Sequence, residues 1–219
     1  APDYLLVHQS HQDKFLDIFL QELKNLYDES KDLKDFTSLI NKSEVHRINE
    51  MEQDAISKGA VIHKALHTNK NVEITNTIKL LLNCKENMQV MDSEIFGPLL
   101  PVIFVNSSEK AIEYVNAHDE PLALYLFGNN SKEHNKWIKK TRSGGITIND
   151  CLLHVAQDDL PFGGVGNSGY GHYHGIWGFN NFSNQKSIFI QSKVNMTSLF
   201  KPPFGKIYKR FSKYFAFWV

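Results

Sequence analysis

The sequence lacks most features that mark specialised classes of protein. Its only cysteines, Cys84 and Cys151, lie far apart and show no metal-type spacing. This excludes a disulfide framework and fits a reducing compartment. The formal net charge is zero and the pI is about 7.3, so nucleic acid is not expected as the main partner. No signal peptide and no apolar run of bilayer-spanning length is present, which favours a cytoplasmic location.

What is present is an alternation of helix and strand patterns. The chain has 219 residues, of which 42% are hydrophobic, enough for a sizeable core. Apolar runs predict strands at residues 99–105, 122–127 and 146–149. Between them we predict one helix capped by Ser107 or Ser108, and another over residues 131–141. Short connections between such elements are typical of an α/β fold with a mostly parallel sheet and flanking helices.

Two further helices are predicted near the start of the chain. The first is capped by Ser10, and the second begins at Ser43 and stops at Gly59. The predicted inward faces are Phe15, Ile18, Phe19, Leu23, Leu26 and Tyr27 in the first helix, and Val45, Ile48, Met51, Ala55 and Ile56 in the second.

The first motif is Glu94-Ile95-Phe96-Gly97-Pro98. Its simple interpretation is a turn, in which Gly97 bends the chain and Pro98 keeps the residue before it extended. Its functional interpretation is a cofactor contact. A carboxylate can accept hydrogen bonds from both hydroxyls of a ribose, and a phenyl ring can hold a nicotinamide face. The motif alone favours the turn, whereas the second motif reverses that preference.

The second motif, at residues 161–169, is Pro-Phe-Gly-Gly-Val-Gly-Asn-Ser-Gly. Its glycine spacing fits a dinucleotide-binding fingerprint. That fingerprint should follow a buried strand and open a long helix, whereas Asp158, Asp159 and Pro161 precede the glycines here. We therefore interpret it as a glycine-rich turn in which backbone passes close to another element.

Three other groups of residues suggest chemistry. Cys151 could be a nucleophile with His154 as its base, but a packed, inert thiol is favoured. Cys84 is expected to be an ordinary loop thiol. The residues His172-Tyr173-His174 could bind a metal, but no third ligand stands in register, so no metal is expected.

Both motifs, in this order, resemble the C-terminal half of an aldehyde dehydrogenase, in particular the class 3, or fatty aldehyde, branch. There the second motif continues, as here, through Tyr173-His174-Gly175 to Phe182-Ser183-Asn184-Gln185. The resemblance runs from Ala1 to about Gln191 and is weakest at residues 67–82. The opening Ala-Pro-Asp-Tyr matches the segment after the family's catalytic cysteine, so the nucleophile is expected two residues before Ala1.

The resemblance implies roles for residues of this chain. Glu94 would bind the nicotinamide ribose and Phe96 the nicotinamide of NAD or NADP. Asn149 would lie behind the residues that contact the ligands and would support them. The resemblance assigns the aldehyde tunnel to Leu152, Val155, Ala156, Phe162 and His174. At three positions this sequence departs from the family: Ser93 replaces a second acid, Cys151 an aliphatic residue, and Ala156 a common threonine.

The implied reaction oxidises medium- or long-chain aldehydes to carboxylates. A cysteine thiolate attacks the carbonyl, hydride passes to the nicotinamide, and activated water cleaves the thioester. This chain would lack the nucleophile, the general-base glutamate and the dinucleotide fold, so by itself it is expected to be inactive. The alternative is a non-catalytic fragment or pseudoenzyme for subunit pairing or membrane docking.

The same resemblance divides the chain into three parts. Residues 1–186 would belong to the catalytic domain, and residues 187–194 would form a bridging strand between two subunits of a homodimer. Residues 195–219 form a basic, aromatic tail. The tail is expected either to pack on its own domain or to lie as an interfacial helix on an intracellular membrane or at the tunnel mouth.

Overall fold

A computed structural model describes residues 2–26, 37–64, 78–195, 197 and 201–215 of the chain. The strands are β1 (Leu5–His8), β2 (Val61–Lys64), β3 (Lys79–Leu82), β4 (Leu99–Val105), β5 (Ala123–Leu126) and β6 (Gly145–Ile148). The helices are α1 (Gln12–Leu26), α2 (Lys42–Ser57), α3 (Gln89–Asp92), α4 (Ser108–Asn116), α5 (Ser131–Lys140), α6 (Gly175–Asn181) and α7 (Lys206–Phe215), with short 3₁₀ turns at Gln9–His11 and Gly166–Ser168.

The strands form two sheets that are mostly parallel, as predicted. The larger sheet has the order β1-β4-β3-β2. In it β4 runs parallel to both β1 and β3, and only β2 is antiparallel to its neighbour. The smaller sheet pairs β5 with β6 in parallel, with Ala123 opposite Gly145. Crossover helices connect the parallel strands, which is the arrangement that the alternating pattern indicates.

The core lies on both faces of β3, whose four residues are all buried. On one face Leu81 packs with Ile48, Met51 and Ala55 of α2. On the other face Leu80 and Leu82 pack with Val102 and with partly buried residues of α1. Glu52 of α2 and Lys79 of β3 form an ion pair that is almost fully buried. Charges so deep in a core are tolerated because each neutralises the other.

Local capping sets the helix starts. The Ser107 hydroxyl accepts a hydrogen bond from the Lys110 amide at 3.2 Å, which confirms one of the two predicted caps. The predicted start at Ser43 is one residue late, because the Asn41 side chain caps α2 by accepting from the Glu44 amide at 2.9 Å and the helix begins at Lys42. Near Ser10 a 3₁₀ turn comes first, and the ring of His8 accepts from the Ser10 amide at 3.3 Å.

Several predictions about burial were wrong. Ile18 and Leu26 of α1 and Ile56 of α2 are exposed rather than inward. Strands β1, β2 and β3 were not predicted. Residues 187–191 make no strand pairing among the described residues, and Ile188, Phe189 and Ile190 are exposed, so the bridging strand between two subunits stays a prediction. The predicted inward position of Tyr27 lies outside the described residues.

The tail contains α7, which carries Lys206, Lys209, Arg210 and Lys213. Ile207 and Phe211 of this helix are about half exposed, while Phe204 stacks on Tyr208 with ring centroids 4.3 Å apart. No helix within the described ranges is long and apolar enough to cross a membrane.

Candidate active site

The first motif forms the loop between α3 and β4. Within it Ile95 is only 1% exposed, whereas the neighbouring Phe96 is 79% exposed and Glu94 also faces solvent. Phe96 has a φ of 47°, in the left-handed region that non-glycine residues rarely adopt. The buried isoleucine therefore anchors the loop, and the two predicted cofactor contacts project on either side of it.

Contacts from two distant segments hold this loop. Arg47 of α2 donates to the carbonyl oxygens of Glu94 and Ile95, at 3.3 and 2.6 Å. The Ile95 amide donates to the Asp3 carboxylate at 3.0 Å. Gly97 lies so close to Ile48 that an added Cβ would stand 2.5 Å from the Ile48 Cδ1 atom. The turn interpretation of Gly97 is thus supplemented by a close approach, at which any added side chain would have to displace the buried Ile48.

This loop does not lie where we expected with respect to the strands. Because the motifs around Glu94, Asn149 and Phe162 each follow or border a predicted strand, the sequence predicts that they converge on one surface, at the carboxyl ends of parallel strands. Glu94 instead precedes β4, and its neighbour Ile95 bonds to Asp3, which precedes β1. The expectation is wrong for Glu94, because the motif sits at the amino ends of β1 and β4.

Asn149 does follow a strand end. Its backbone amide donates to the Leu126 carbonyl and its side-chain oxygen accepts from the Gly128 amide, both at 2.8 Å. With a φ of 59°, it turns the chain directly after β6. It ties the carboxyl ends of β5 and β6 together, and so positions the loop that carries Leu152, Val155 and Ala156.

Phe162 and His174 come together in a cluster of rings. Phe162 and Tyr173 form an antiparallel bridge with two backbone hydrogen bonds of 3.1 and 2.9 Å. The Phe162 ring stacks on His174 at 6.1 Å and lies 5.5 Å from the ring of His154. We call the whole set the aromatic cluster, and its members are Tyr125, His154, Phe162, Tyr173 and His174.

His154 is the buried centre of the aromatic cluster. Its Nδ1 lies 2.9 Å from the Thr147 hydroxyl, and its Nε2 is buried with no hydrogen-bond partner among the described residues. Burial lowers the pKa of this imidazole, which therefore stays neutral at pH 7. The sequence suggests a role for His154 only as a base for Cys151. Its packing role could not be predicted, because the contacts with Thr147 and Phe162 arise from the tertiary structure and no local motif encodes them.

The remaining predicted tunnel residues share the turn that carries His154. Leu152 is exposed with a φ of 64°, Val155 is half-buried and Ala156 is exposed. No hydrogen bond or ring contact within the described part of the chain joins Glu94 or Phe96 to the aromatic cluster. Convergence of the two groups therefore remains a prediction.

The glycine-rich segment is a tight turn, as predicted, and not a dinucleotide-binding fingerprint. An added Cβ at Gly163 or Gly164 would overlap the backbone of Gly171 or Ser168. The Ser168 hydroxyl donates to the Val165 carbonyl at 2.8 Å within a single 3₁₀ turn. A fingerprint would open a long helix at this point.

Neither cysteine has the environment of a nucleophile. Burial raises the pKa of Cys84 to about 11. Burial, and then the Asp150 carboxylate, raise the pKa of Cys151, so the thiolate is disfavoured in both. Within the described ranges no group of three or more histidine, cysteine and acidic side chains could hold a metal ion.

These features define an α/β protein with a loop that presents a carboxylate beside a phenyl ring and a separate aromatic cluster behind a glycine-rich turn. The aldehyde dehydrogenase family matches residues 1–188, and the chain belongs to this family. The chain is 41% identical over 216 residues to a probable coniferyl aldehyde dehydrogenase of Pseudomonas aeruginosa. That alignment covers 96% of this chain and 45% of the relative.

Two further relatives agree with the family. A rat aldehyde dehydrogenase described as dimeric and NADP-preferring is 39% identical, over 89% of this chain and 42% of that protein. The solved structure of a substrate-bound Staphylococcus aureus AldH superposes with a TM-score of 0.77 at 30% identity. It is matched over 98% of this chain and 46% of its own length. The chain thus spans less than half the length of these relatives.

Proposed function

We propose that this chain is part of an aldehyde dehydrogenase that oxidises aldehydes to carboxylates with NAD or NADP. The observation that carries the proposal is the loop at residues 94–98, where a fixed backbone presents a free carboxylate next to an exposed ring. Within the described ranges no hydrogen bond or ion pair engages the Glu94 carboxylate. Both side chains are thus available to a ligand.

The residues present fit the nicotinamide half of such a cofactor. The Glu94 carboxylate can accept from both ribose hydroxyls, and the Phe96 ring can lie against the nicotinamide. When bound, the cofactor supplies the hydride acceptor. The chain contributes the orientation of these two side chains. The buried Ile95 anchors the loop, and the left-handed backbone at Phe96 fixes the direction of the chain at this point. Asn149 supports the site by keeping β5 and β6 in register.

The aldehyde is proposed to pass along a wall formed by Leu152, Val155, Ala156, Phe162 and His174. Most of these side chains are apolar, and the His154 behind Phe162 is neutral, so the wall suits a lipophilic substrate. We propose medium- or long-chain aldehydes of the fatty branch. A coniferyl-type aromatic aldehyde is the competing class, since it is named in the relative from Pseudomonas aeruginosa and the exposed ring of Tyr173 offers a stacking surface.

The nucleophilic cysteine, the general-base glutamate and the dinucleotide fold are proposed to lie upstream of Ala1 in a complete protein. The isolated chain is therefore inactive in this proposal.

Two surfaces serve assembly. Exposed Ile188, Phe189 and Ile190 lie in the proposed bridging segment at residues 187–194, where a second subunit would form a homodimer. The tail at residues 195–219 is the proposed peripheral membrane contact.

The proposal is tested by producing the chain joined to its upstream half and following NAD(P)H absorbance with hexanal, hexadecanal and coniferaldehyde. We expect turnover that requires the cysteine two residues before Ala1, with the highest kcat/KM for hexadecanal. A preference for coniferaldehyde would replace the fatty substrate class, and no turnover with any aldehyde would contradict the proposal.

The exposed apolar segment favours a second candidate, a non-catalytic pairing module. In this case the chain alone would form a dimer through residues 187–194, and the complete protein would oxidise no aldehyde. Sedimentation equilibrium of the chain and of a variant with Ile188 and Ile190 changed to serine separates the two functions when read beside the activity assay.

A further inference from the structure

Arg47 makes more polar contacts with the loop at residues 94–98 than any other described side chain. Its Nη2 donates to the Ile95 carbonyl at 2.6 Å and its Nη1 to the Glu94 carbonyl at 3.3 Å. Its Nε and Nη2 both lie 2.8 Å from a carboxylate oxygen of Glu44. The planar guanidinium is thus held by its own helix on one edge and by the loop on the other.

The opposite side of the Glu94–Ile95 peptide group is held by Asp3, which accepts from the Ile95 amide at 3.0 Å. Ile95 therefore has its carbonyl bonded by Arg47 and its amide bonded by Asp3, from segments 44 residues apart in the chain. The next residue, Phe96, has the left-handed φ of 47°. Such a conformation persists in a non-glycine residue only where surrounding contacts over-determine it.

We propose that Arg47 and Asp3 are a positioning pair that holds the backbone of Ile95 on both sides and so fixes the directions of Glu94 and Phe96 toward the cofactor. This inference rests on the proposed function, and it names the residues that orient its cofactor contacts. Neither residue touches the cofactor in this scheme. Arginine is required rather than lysine, because two carbonyls and a carboxylate are engaged at once by a rigid fork.

The first test uses the 219-residue chain and needs no activity. Amide hydrogen exchange of Ile95, whose amide donates to Asp3, is measured by NMR in Arg47→Met, Arg47→Lys and the matched control Arg142→Met, whose side chain is 70% exposed. Losing a charge-assisted contact should speed exchange at this amide by about tenfold or more in Arg47→Met and less in Arg47→Lys. The control should not change it.

Asp3→Ala serves as a second variant, in case Arg47→Met fails to fold. It should also speed exchange at Ile95, whereas Asp3→Asn keeps an acceptor oxygen and should restore protection. Unchanged exchange of the Ile95 amide in both Arg47→Met and Asp3→Ala overturns the inference.

The second test uses the complete protein with its upstream half. Arg47→Met should lower kcat about tenfold or more, leave the aldehyde KM within about twofold, and raise the primary isotope effect of a 1-deuterated aldehyde. Arg47→Lys should recover part of kcat. Unchanged kcat and isotope effect overturn the positioning role. If the unmodified protein oxidises no aldehyde, the proposed function fails, and the exchange measurement alone then decides whether the positioning pair exists.

Discussion

Thr147 and His154 are joined by a 2.9 Å contact between the threonine hydroxyl and Nδ1 of the imidazole. This contact holds the ring against Gly145, where an added Cβ would stand 2.6 Å from the His154 Cδ2 atom. The ring in turn lies against Phe162 of the glycine-rich turn. The His154 ring therefore connects strand β6 with Phe162 of the proposed substrate wall.

Gly145→Ala should displace His154 and destabilise the chain by about 1–3 kcal/mol, the usual cost of overpacking. Urea unfolding measures the loss. Gly205→Ala is the matched control, because nothing lies within 4 Å of the Cβ added there. In the double variant Gly145→Ala/His154→Ala the two losses should not add. Additive losses would show that the methyl group does not act through the ring.

His118 should make stability fall as the pH rises above about 6.5. The Tyr114 carbonyl, and then the Glu86 carboxylate, hold the pKa of His118 above its usual 6.5. Both ring nitrogens face acceptors, at 2.8 and 2.9 Å, so the doubly protonated ring fits best. Its contribution is complete below pH 6.5 and is lost as the pH rises through the raised pKa. His118→Gln should flatten this part of the urea-stability profile, and an unchanged slope would contradict the assignment.

His154 should change the stability with pH in the opposite direction. Burial lowers its pKa, so the unfolded chain binds the proton more readily than the folded one. Its stabilising effect is present above pH 6.5 and is lost as the pH falls through the lowered pKa. His154→Asn should therefore remove part of the stability loss that develops as the pH falls below about 6.5, at the cost of weaker packing. His46→Asn, at an exposed site on α2, is the control.

Glu94→Gln in the complete protein should impair hydride transfer more than cofactor binding. One charge-assisted contact to a ribose hydroxyl contributes about 1.5–3 kcal/mol. That loss should appear as misplacement of the nicotinamide, because the adenosine half of the cofactor would bind to the upstream part of the protein. Single-turnover kinetics and cofactor titration separate the two effects, and unchanged turnover would refute the role of Glu94.

The tail should bind anionic membranes. Helix α7 carries four basic residues and no acidic one, and its Ile207 and Phe211 are half exposed. Each lysine or arginine near an anionic leaflet contributes about 1 kcal/mol. We expect the chain to float with phosphatidylserine vesicles at low salt and to detach at high salt. A version ending at Gly205 should remain in solution, and equal flotation of the two forms would end the idea.

How far sequence predicted the structure depended on how local each signal was. The Ser107 cap and the strand at residues 99–105 were predicted because their determinants lie within a few positions. Strands β1 and β3 are four residues long and owe their pairing to β4, which no local pattern encodes. The same holds for the site: Glu94 and Phe96 are adjacent in one motif, whereas the contacts from Arg47 and Asp3 span 48 and 92 positions.

The ion pair between Glu52 and Lys79 constrains how this protein can change over time. Both side chains are nearly inaccessible, so losing either one leaves a lone charge in the core at a cost of about 3–5 kcal/mol. Replacing both by apolar residues of similar size is close to neutral. Any path from this ion pair to an apolar pair therefore passes through an unstable protein in which only one of the two residues has changed. Related proteins that differ from this chain at one of the two positions should therefore differ at both.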